Sequence, residues 1–169
     1  MIEVFDNFFS EEIHNEIFDL LTRPKWSFTG GQDTSPFWHM EALDQEEYFR
    51  DFLYGVIKEK LGIDYKTGRI YANGQTAGQS GSAHLDDNDF TFLYYPNITW
   101  EPEWKGELIF LDNDKQPFKV VGYKSNRALL FPGRILHYAN GPDRFFGGMR
   151  ISLASVSYTH LTLPTILLV

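Results

Sequence analysis

The spacing of apolar positions changes period along the chain, and each period predicts an element. Ile2-Glu3-Val4-Phe5 reads as a short strand. Ile13, Ile17, Leu20 and Leu21 then recur at helical spacing, so that one stripe of a helix is buried. Ser10 is placed to cap this helix, Glu11 and Glu12 occupy the first turn where the helix dipole favours negative charge, and Pro24 halts propagation. His14 lies beside the stripe and reads as a surface residue of the helix, with no carboxylate or histidine at metal-ligand spacing from it.

Residues 25 to 43 carry no clear period and read as an irregular loop, with Gly30-Gly31 and Ser35-Pro36-Phe37-Trp38-His39. Its rings, Trp26, Phe28, Phe37, Trp38 and His39, read as core material first and as a cleft wall second. Asp44 and Glu47 have the spacing of a capping box, ahead of a second amphipathic helix marked by Phe49, Phe52, Leu53, Val56 and Leu61 and ended by Gly62.

From about residue 66 short strands alternate with turn residues: Gly68-Arg69-Ile70-Tyr71, Phe90 to Tyr95, Glu107 to Leu111, Lys119 to Tyr123, Ala128 to Phe131 and Arg150 to Leu153. A parallel sheet would need helices between these strands, so the pattern favours a sandwich or jelly roll buttressed by the two helices. The expected organisation is one domain over 1–155, helical over 1–65 with a β core over 66–155.

Composition narrows the chemistry. With 15 basic and 23 acidic residues the net charge is -8, which disfavours phosphate backbones and anionic lipid as partners. The chain has no cysteine, so any metal must be held by nitrogen and oxygen, and a cytoplasmic location is expected. The first residues lack the basic and apolar regions of a signal peptide, and no run approaches the roughly 20 apolar residues of a membrane helix.

The tail reads differently from the rest. Val156 through Thr165 is, residue for residue, the translation of a transposon-type sequencing adapter, GTC TCT TAT ACA CAT CTG ACG CTG CCG ACG, and the two preceding adapter bases fit the end of a codon for Ser155. Residues 156–169 are therefore expected to be a library artefact with native sequence read only to about Ala154, and His160 is not counted as a ligand.

Chemistry concentrates at His84-Leu85-Asp86. Alternate side chains of an extended strand share a face, so His84 and Asp86 can aim an imidazole and a carboxylate at one point while Leu85 faces away. His137 follows the apolar run Ala128 to Gly133, which carries it on or after a strand of the same sheet system. Two histidines and a carboxylate on one face of a metal are the ligand set of non-haem Fe(II) oxygenases, which leaves positions open for co-substrate and dioxygen. Arg150 begins another strand 13 residues later, with a guanidinium suited to a carboxylate. Asp87 and Asp89 read as solvated turn acids.

From Arg69 to Ala154 the chain resembles the 2-oxoglutarate- and Fe(II)-dependent dioxygenases, most closely their prolyl-4-hydroxylase-like branch, including small versions found in phages and marine microbes. The resemblance implies a double-stranded β-helix, the cupin-like jelly roll. It implies Fe(II) held by His84, Asp86 and His137, with 2-oxoglutarate anchored by Arg150, and Ser152 completing an Arg-x-Ser spacing. Tyr71 matches the tyrosine that precedes the metal motif, and Tyr95 matches a strand tyrosine that touches the co-substrate. The implied reaction uses dioxygen to convert 2-oxoglutarate to succinate and CO2 while hydroxylating a C–H bond of a peptidyl, prolyl-like or small-molecule substrate, with ascorbate as an optional reductant. Asp86 argues against halogenation, since halogenases of this fold carry a small residue there.

Two other readings compete. A cupin-like protein that binds a metal or small acid without turnover gives no account of Arg150-x-Ser152. A nucleic-acid demethylase of the same superfamily would use Arg144 and Arg150, six residues apart, but the charge of -8 and the short gap from His137 to Arg144 oppose it.

Overall fold

Alternation within three central strands decides the architecture. In the computed structural model, which describes residues 1–29 and 36–159, Phe92 and Tyr94 of the strand Phe90–Tyr95 pack with the helices, whereas Leu93 and Tyr95 face the opposite way into a second cluster. Ala128 and Leu130 against Leu129 and Phe131, and Ile151 and Leu153 against Ala154, divide in the same manner. Burial on both faces requires a layer on each side.

The elements, in order, are β1 (Glu3–Phe5), α1 (Glu11–Leu21), β2 (Ser27–Thr29), β3 (Phe37–Met40), α2 (Tyr54–Leu61), β4 (Lys66–Gln75), β5 (Phe90–Tyr95), β6 (Leu108–Leu111), β7 (Pro117–Val121), β8 (Arg127–Pro132), β9 (His137–Ala139) and β10 (Arg150–Tyr158). The larger sheet has the order β1-β8-β5-β10-β4-β3-β2 and the smaller β7-β6-β9, with antiparallel pairing throughout. Leu108, Phe110, Val121 and Tyr123 of the smaller sheet and its flank meet Leu93, Tyr95, Leu129 and Phe131 of the larger. The helices cover the outer face of the larger sheet through Ile17, Leu21, Phe49, Leu53 and Ile57. This is the mainly β jelly roll with flanking helices that the strand pattern predicts.

The first 65 residues contribute strands as well as helices. The expected irregular stretch contains β2 and β3, which pair with each other and extend the larger sheet, with His39 opposite Asn73 on β4. The open edge of β4 explains this, because its free backbone groups template a neighbour that propensity alone would not form. Gly30, Gly31 and Ser35 of the expected loop lie outside the described residues, as do His160 and the tail beyond it.

Local capping is mixed. Ser10 accepts a hydrogen bond from the Ile13 amide at 3.3 Å, as expected. Asp44 does not cap the second helix; it sits in a 3-10 turn and accepts from the Ile70 amide at 3.3 Å, and the chain enters α2 through a π-helical turn at Tyr48–Leu53. Gly62 ends α2 in the left-handed conformation at φ 61°. His14 is not at the surface: it is 7% exposed and its Nε2 lies 2.9 Å from the Pro96 carbonyl.

Two features position the site. β10 runs on past Ser155 to Tyr158, with a register shift between Val156 and Ser157, because alternating Ser155-Val156-Ser157 satisfies a strand whatever its origin. His84 and His137 form an isolated antiparallel bridge at the end of the smaller sheet, each amide donating to the other's carbonyl at 2.9 and 3.0 Å.

Candidate metal centre and co-substrate pocket

The bridge places His84 and His137 directly opposite one another, and Asp86 follows two residues along. One ligand atom from each of these three residues lies within 4.8 Å of the others, and among the described residues no second set of three histidines or acids does so. His84 Nε2 is 3.4 Å from Asp86 Oδ1, and His137 Nε2 is 3.7 Å from Asp86 Oδ2. Each imidazole is oriented from behind: Nδ1 of His84 donates to the Ser82 carbonyl at 2.9 Å and Nδ1 of His137 to that of Ile135 at 2.7 Å. That orientation turns both Nε2 atoms to the side of Asp86, where an Nε2 without its proton presents the lone pair that metal ligation requires. Thr91, on β5, donates its hydroxyl to Asp86 Oδ2.

Protonation follows from these contacts. Burial pushes the Asp86 carboxyl up, but hydrogen bonds from His84 and Thr91 outweigh it and hold the group below its ordinary value. Burial also lowers His137, favouring the neutral ligand form, whereas its hydrogen bond to Asp86 raises His84. A divalent cation would displace the His84 proton and take its place beside the carboxylate. Two imidazoles and one carboxylate on one side suit Fe(II).

Arg150 points into the space between the sheets, because it shares a face of β10 with Ser152 and Ala154. It is fully buried. Its Nε donates to the Gly106 carbonyl and its Nη1 to Gln75 Oε1, both at 2.9 Å. The rings of Tyr95 and Tyr123 lie 5.2 and 5.0 Å from the guanidinium carbon. Among the described residues, the buried Nη2 and Tyr95 hydroxyl have no hydrogen-bond partner. A buried cation with a free donor edge beside a free phenol is a costly arrangement unless an anionic oxygen fills it. The terminal carboxylate of 2-oxoglutarate fits that requirement. Ser152 is buried two residues along the same face of β10.

Tyr71 lines a cavity of about 470 Å³ together with His84 and Asp86. Burial and the nearby Asp86 raise its phenol above the ordinary range. Asp87 and Asp89 stay out of the triad; the Asp89 carboxylate accepts from the Thr159 amide and hydroxyl at 2.8 and 2.9 Å. Arg144 is exposed against Phe145, apart from buried Arg150, so nothing here pairs the two arginines.

Several supporting residues escape sequence reasoning. Gln75 faces Arg150 across the β4–β10 register and donates its Nε2 to the Gln79 carbonyl at 2.7 Å. Asn97 holds the start of β10, accepting from the Ile151 amide at 2.9 Å and donating to the Met149 carbonyl at 3.0 Å. Gly106 has φ 82°, and a Cβ there would lie 3.0 Å from Arg150 Nε. Only the cross-strand register reveals these roles; the glycine after a long loop is the one signal the chain itself offers.

Comparison with solved structures gives matches over nearly the whole chain. A Burkholderia pseudomallei oxidoreductase of the 2OG-Fe(II) oxygenase family superposes with a TM-score of 0.74 at 13% identity, covering 94% of this chain and 86% of that one. The fold is that of the 2-oxoglutarate and Fe(II) oxygenases. A Pseudomonas putida prolyl-4-hydroxylase shares the oxygenase fold at TM-score 0.67 and 17% identity, over 94% and 93% of the two chains. A Trichoplax adhaerens prolyl hydroxylase, solved with a hypoxia-inducible-factor peptide fragment, matches with the same score and identity over 92% and 82%. No protein-family model and no curated protein sequence matches the chain.

Proposed function

We propose that the protein is an Fe(II)- and 2-oxoglutarate-dependent oxygenase that hydroxylates a C–H bond. The observation that carries this reading is the unpartnered Arg150 Nη2 and Tyr95 hydroxyl, buried in the same jelly roll as the triad of histidines and carboxylate. A metal-binding cupin without turnover has no use for that pair. His84, Asp86 and His137 would hold the metal, and Arg150, with Tyr95, would take the distal carboxylate of 2-oxoglutarate; Ser152 and Tyr71 are assigned to the same pocket. The bound iron and co-substrate, with dioxygen, supply the oxidising power, coupled to release of succinate and CO2.

The chain's own residues orient and shield. Ser82 and Ile135 carbonyls orient the imidazoles, Thr91 restrains the Asp86 oxygen that faces His137, and the rings of Tyr95 and Tyr123 exclude water around the guanidinium. Exclusion of water strengthens the ion pair that positions the co-substrate.

The test is spectroscopic. Anaerobic addition of Fe(II) and 2-oxoglutarate is expected to give a weak visible charge-transfer band that His84→Ala abolishes, followed by uncoupled succinate release on admitting air. A folded protein with no band would overturn the reading. We also propose that residues 156–169 are foreign; resequencing the source DNA past Ser155 tests this, and native flanking sequence encoding the same residues would refute it.

A further inference from the structure

Among the described residues, the wall of the cavity beside the triad has one side chain with a permanent positive charge, and it is not Arg150. Arg69 and Tyr71 are two residues apart on β4, and the Arg69 guanidinium carbon lies 4.1 Å from the centroid of the Tyr71 ring. Among the described residues no carboxylate lies within ion-pairing distance of Arg69, although Glu41, Asp86 and Asp87 line the same cavity. Glu41 is instead near His39, whose Nδ1 is 3.7 Å from Glu41 Oε1 and 3.1 Å from Asn73 Oδ1.

The stacking matters chemically. A guanidinium held against an aromatic face keeps its N–H donors in the plane parallel to the ring, where they form a fork that matches a carboxylate. The acids of the wall, in a chain of net charge -8, disfavour anions in general, so an anion held at this wall, away from the Arg150 pocket, needs this fork. On the neighbouring strand β3, Phe37 and His39, with ring centroids 4.5 Å apart and planes inclined at 39°, add aromatic surface to the same cavity for the body of a small molecule.

We infer that the substrate of the proposed oxygenase carries a free carboxylate and that Arg69 binds it, with the carbon to be oxidised presented toward His84, Asp86 and His137. This deepens the oxygenase reading and rests on it. It favours a small acid, such as a free or N-acylated amino acid, or a peptide chain end, over a residue in the middle of a peptide. Arg69 is then a specificity-determining residue, distinct from the Arg150 pocket between the sheets.

The test uses the full chain loaded with Zn(II) and 2-oxoglutarate, which cannot turn over, and ligand-observed saturation-transfer NMR. The probes are mixtures of free amino acids, N-acetyl amino acids, their N-acetyl amides, and dipeptides. The carboxylate-bearing sets are expected to give transfer signals and the amides none; dipeptide binding without amino-acid binding would assign the carboxylate to a chain end. Arg69→Ala is expected to weaken binding at least about tenfold, the lower range for a charge-assisted hydrogen-bonded contact, with partial rescue by Arg69→Lys. 2-Oxoglutarate signals in the same samples should persist in all three proteins. Equal binding of acids and amides, undiminished binding to Arg69→Ala, or no probe bound while 2-oxoglutarate binds would each overturn the inference. Loss of 2-oxoglutarate signals from the wild type would instead reject the oxygenase reading itself.

Discussion

Replacing Arg150 by Met separates binding from folding, because the two effects have different sizes. The substitution removes hydrogen bonds to Gly106 O and Gln75 Oε1 and leaves both acceptors buried, at a cost of about 1–3 kcal/mol each. It also removes an unsatisfied buried donor, Nη2, worth about 1–3 kcal/mol, and a buried charge whose desolvation penalty is several kcal/mol. Methionine fills much of the same volume, so the metal-free, co-substrate-free fold is expected to change by less than about 2 kcal/mol in either direction. Binding is another matter: truncating one partner of a buried charge pair costs about 2–5 kcal/mol, so 2-oxoglutarate affinity should fall by at least about thirtyfold. Urea denaturation without ligand reads the first quantity, and calorimetric titration of 2-oxoglutarate into the Mn(II)-loaded protein reads the second. Collapse of the ligand-free fold, or a folded variant with unchanged affinity, would refute the reasoning.

Three further outcomes follow from particular contacts. Thr91→Val removes the hydroxyl on Asp86 and is expected to weaken metal binding about tenfold while leaving the urea midpoint nearly unchanged, as measured by Mn(II) titration. Gly106→Ala forces a Cβ onto a residue at φ 82° and to within 3.0 Å of Arg150 Nε and of the Trp100 ring; left-handed strain and overpacking together predict a loss of about 2–4 kcal/mol in urea denaturation, and a loss near zero would contradict the close approach. Burial lowers the pKa of His14 below its ordinary value of 6.5, so the folded state binds fewer protons than the unfolded one. Its contribution is complete above 6.5 and is lost as pH falls through the folded value, each tenfold difference in proton affinity between the two states being worth about 1.4 kcal/mol. His14→Gln should flatten the fall in stability between neutral and mildly acid pH, which urea midpoints across that range will show.

Which parts of this arrangement the chain itself announces depends on the range of the interaction. Leu93, Tyr95, Leu129 and Phe131 are readable as strand residues because alternation is local, and alternation also turns Arg150 and Ser152 inward once Ile151 and Leu153 are packed outward. His84 and Asp86 are readable because their shared face needs only a spacing of two. β2 and β3 are not, since the edge of β4 rather than the propensity of Phe37 to Met40 makes them strands. Asp44 misleads because its carboxylate finds the Ile70 amide across the fold before it finds a helix terminus. His14 misleads for a similar reason, its partner being the carbonyl of Pro96, 82 residues away. Gln75 and Thr91 act only through registers set by whole strands, so no window of sequence displays them.

The paired amides and carbonyls of His84 and His137 bear on how such a protein can change over time. Two side chains that sit opposite one another on adjoining backbones have a spacing fixed by sheet geometry, not by the length of chain between them. The exposed cavity wall at Glu41 and Asp87 can then be rewritten while the bite of the histidine pair is preserved. Selection on what enters the cavity is thereby uncoupled from selection on what is held at its floor, and substrate preference can drift without passing through an inactive intermediate.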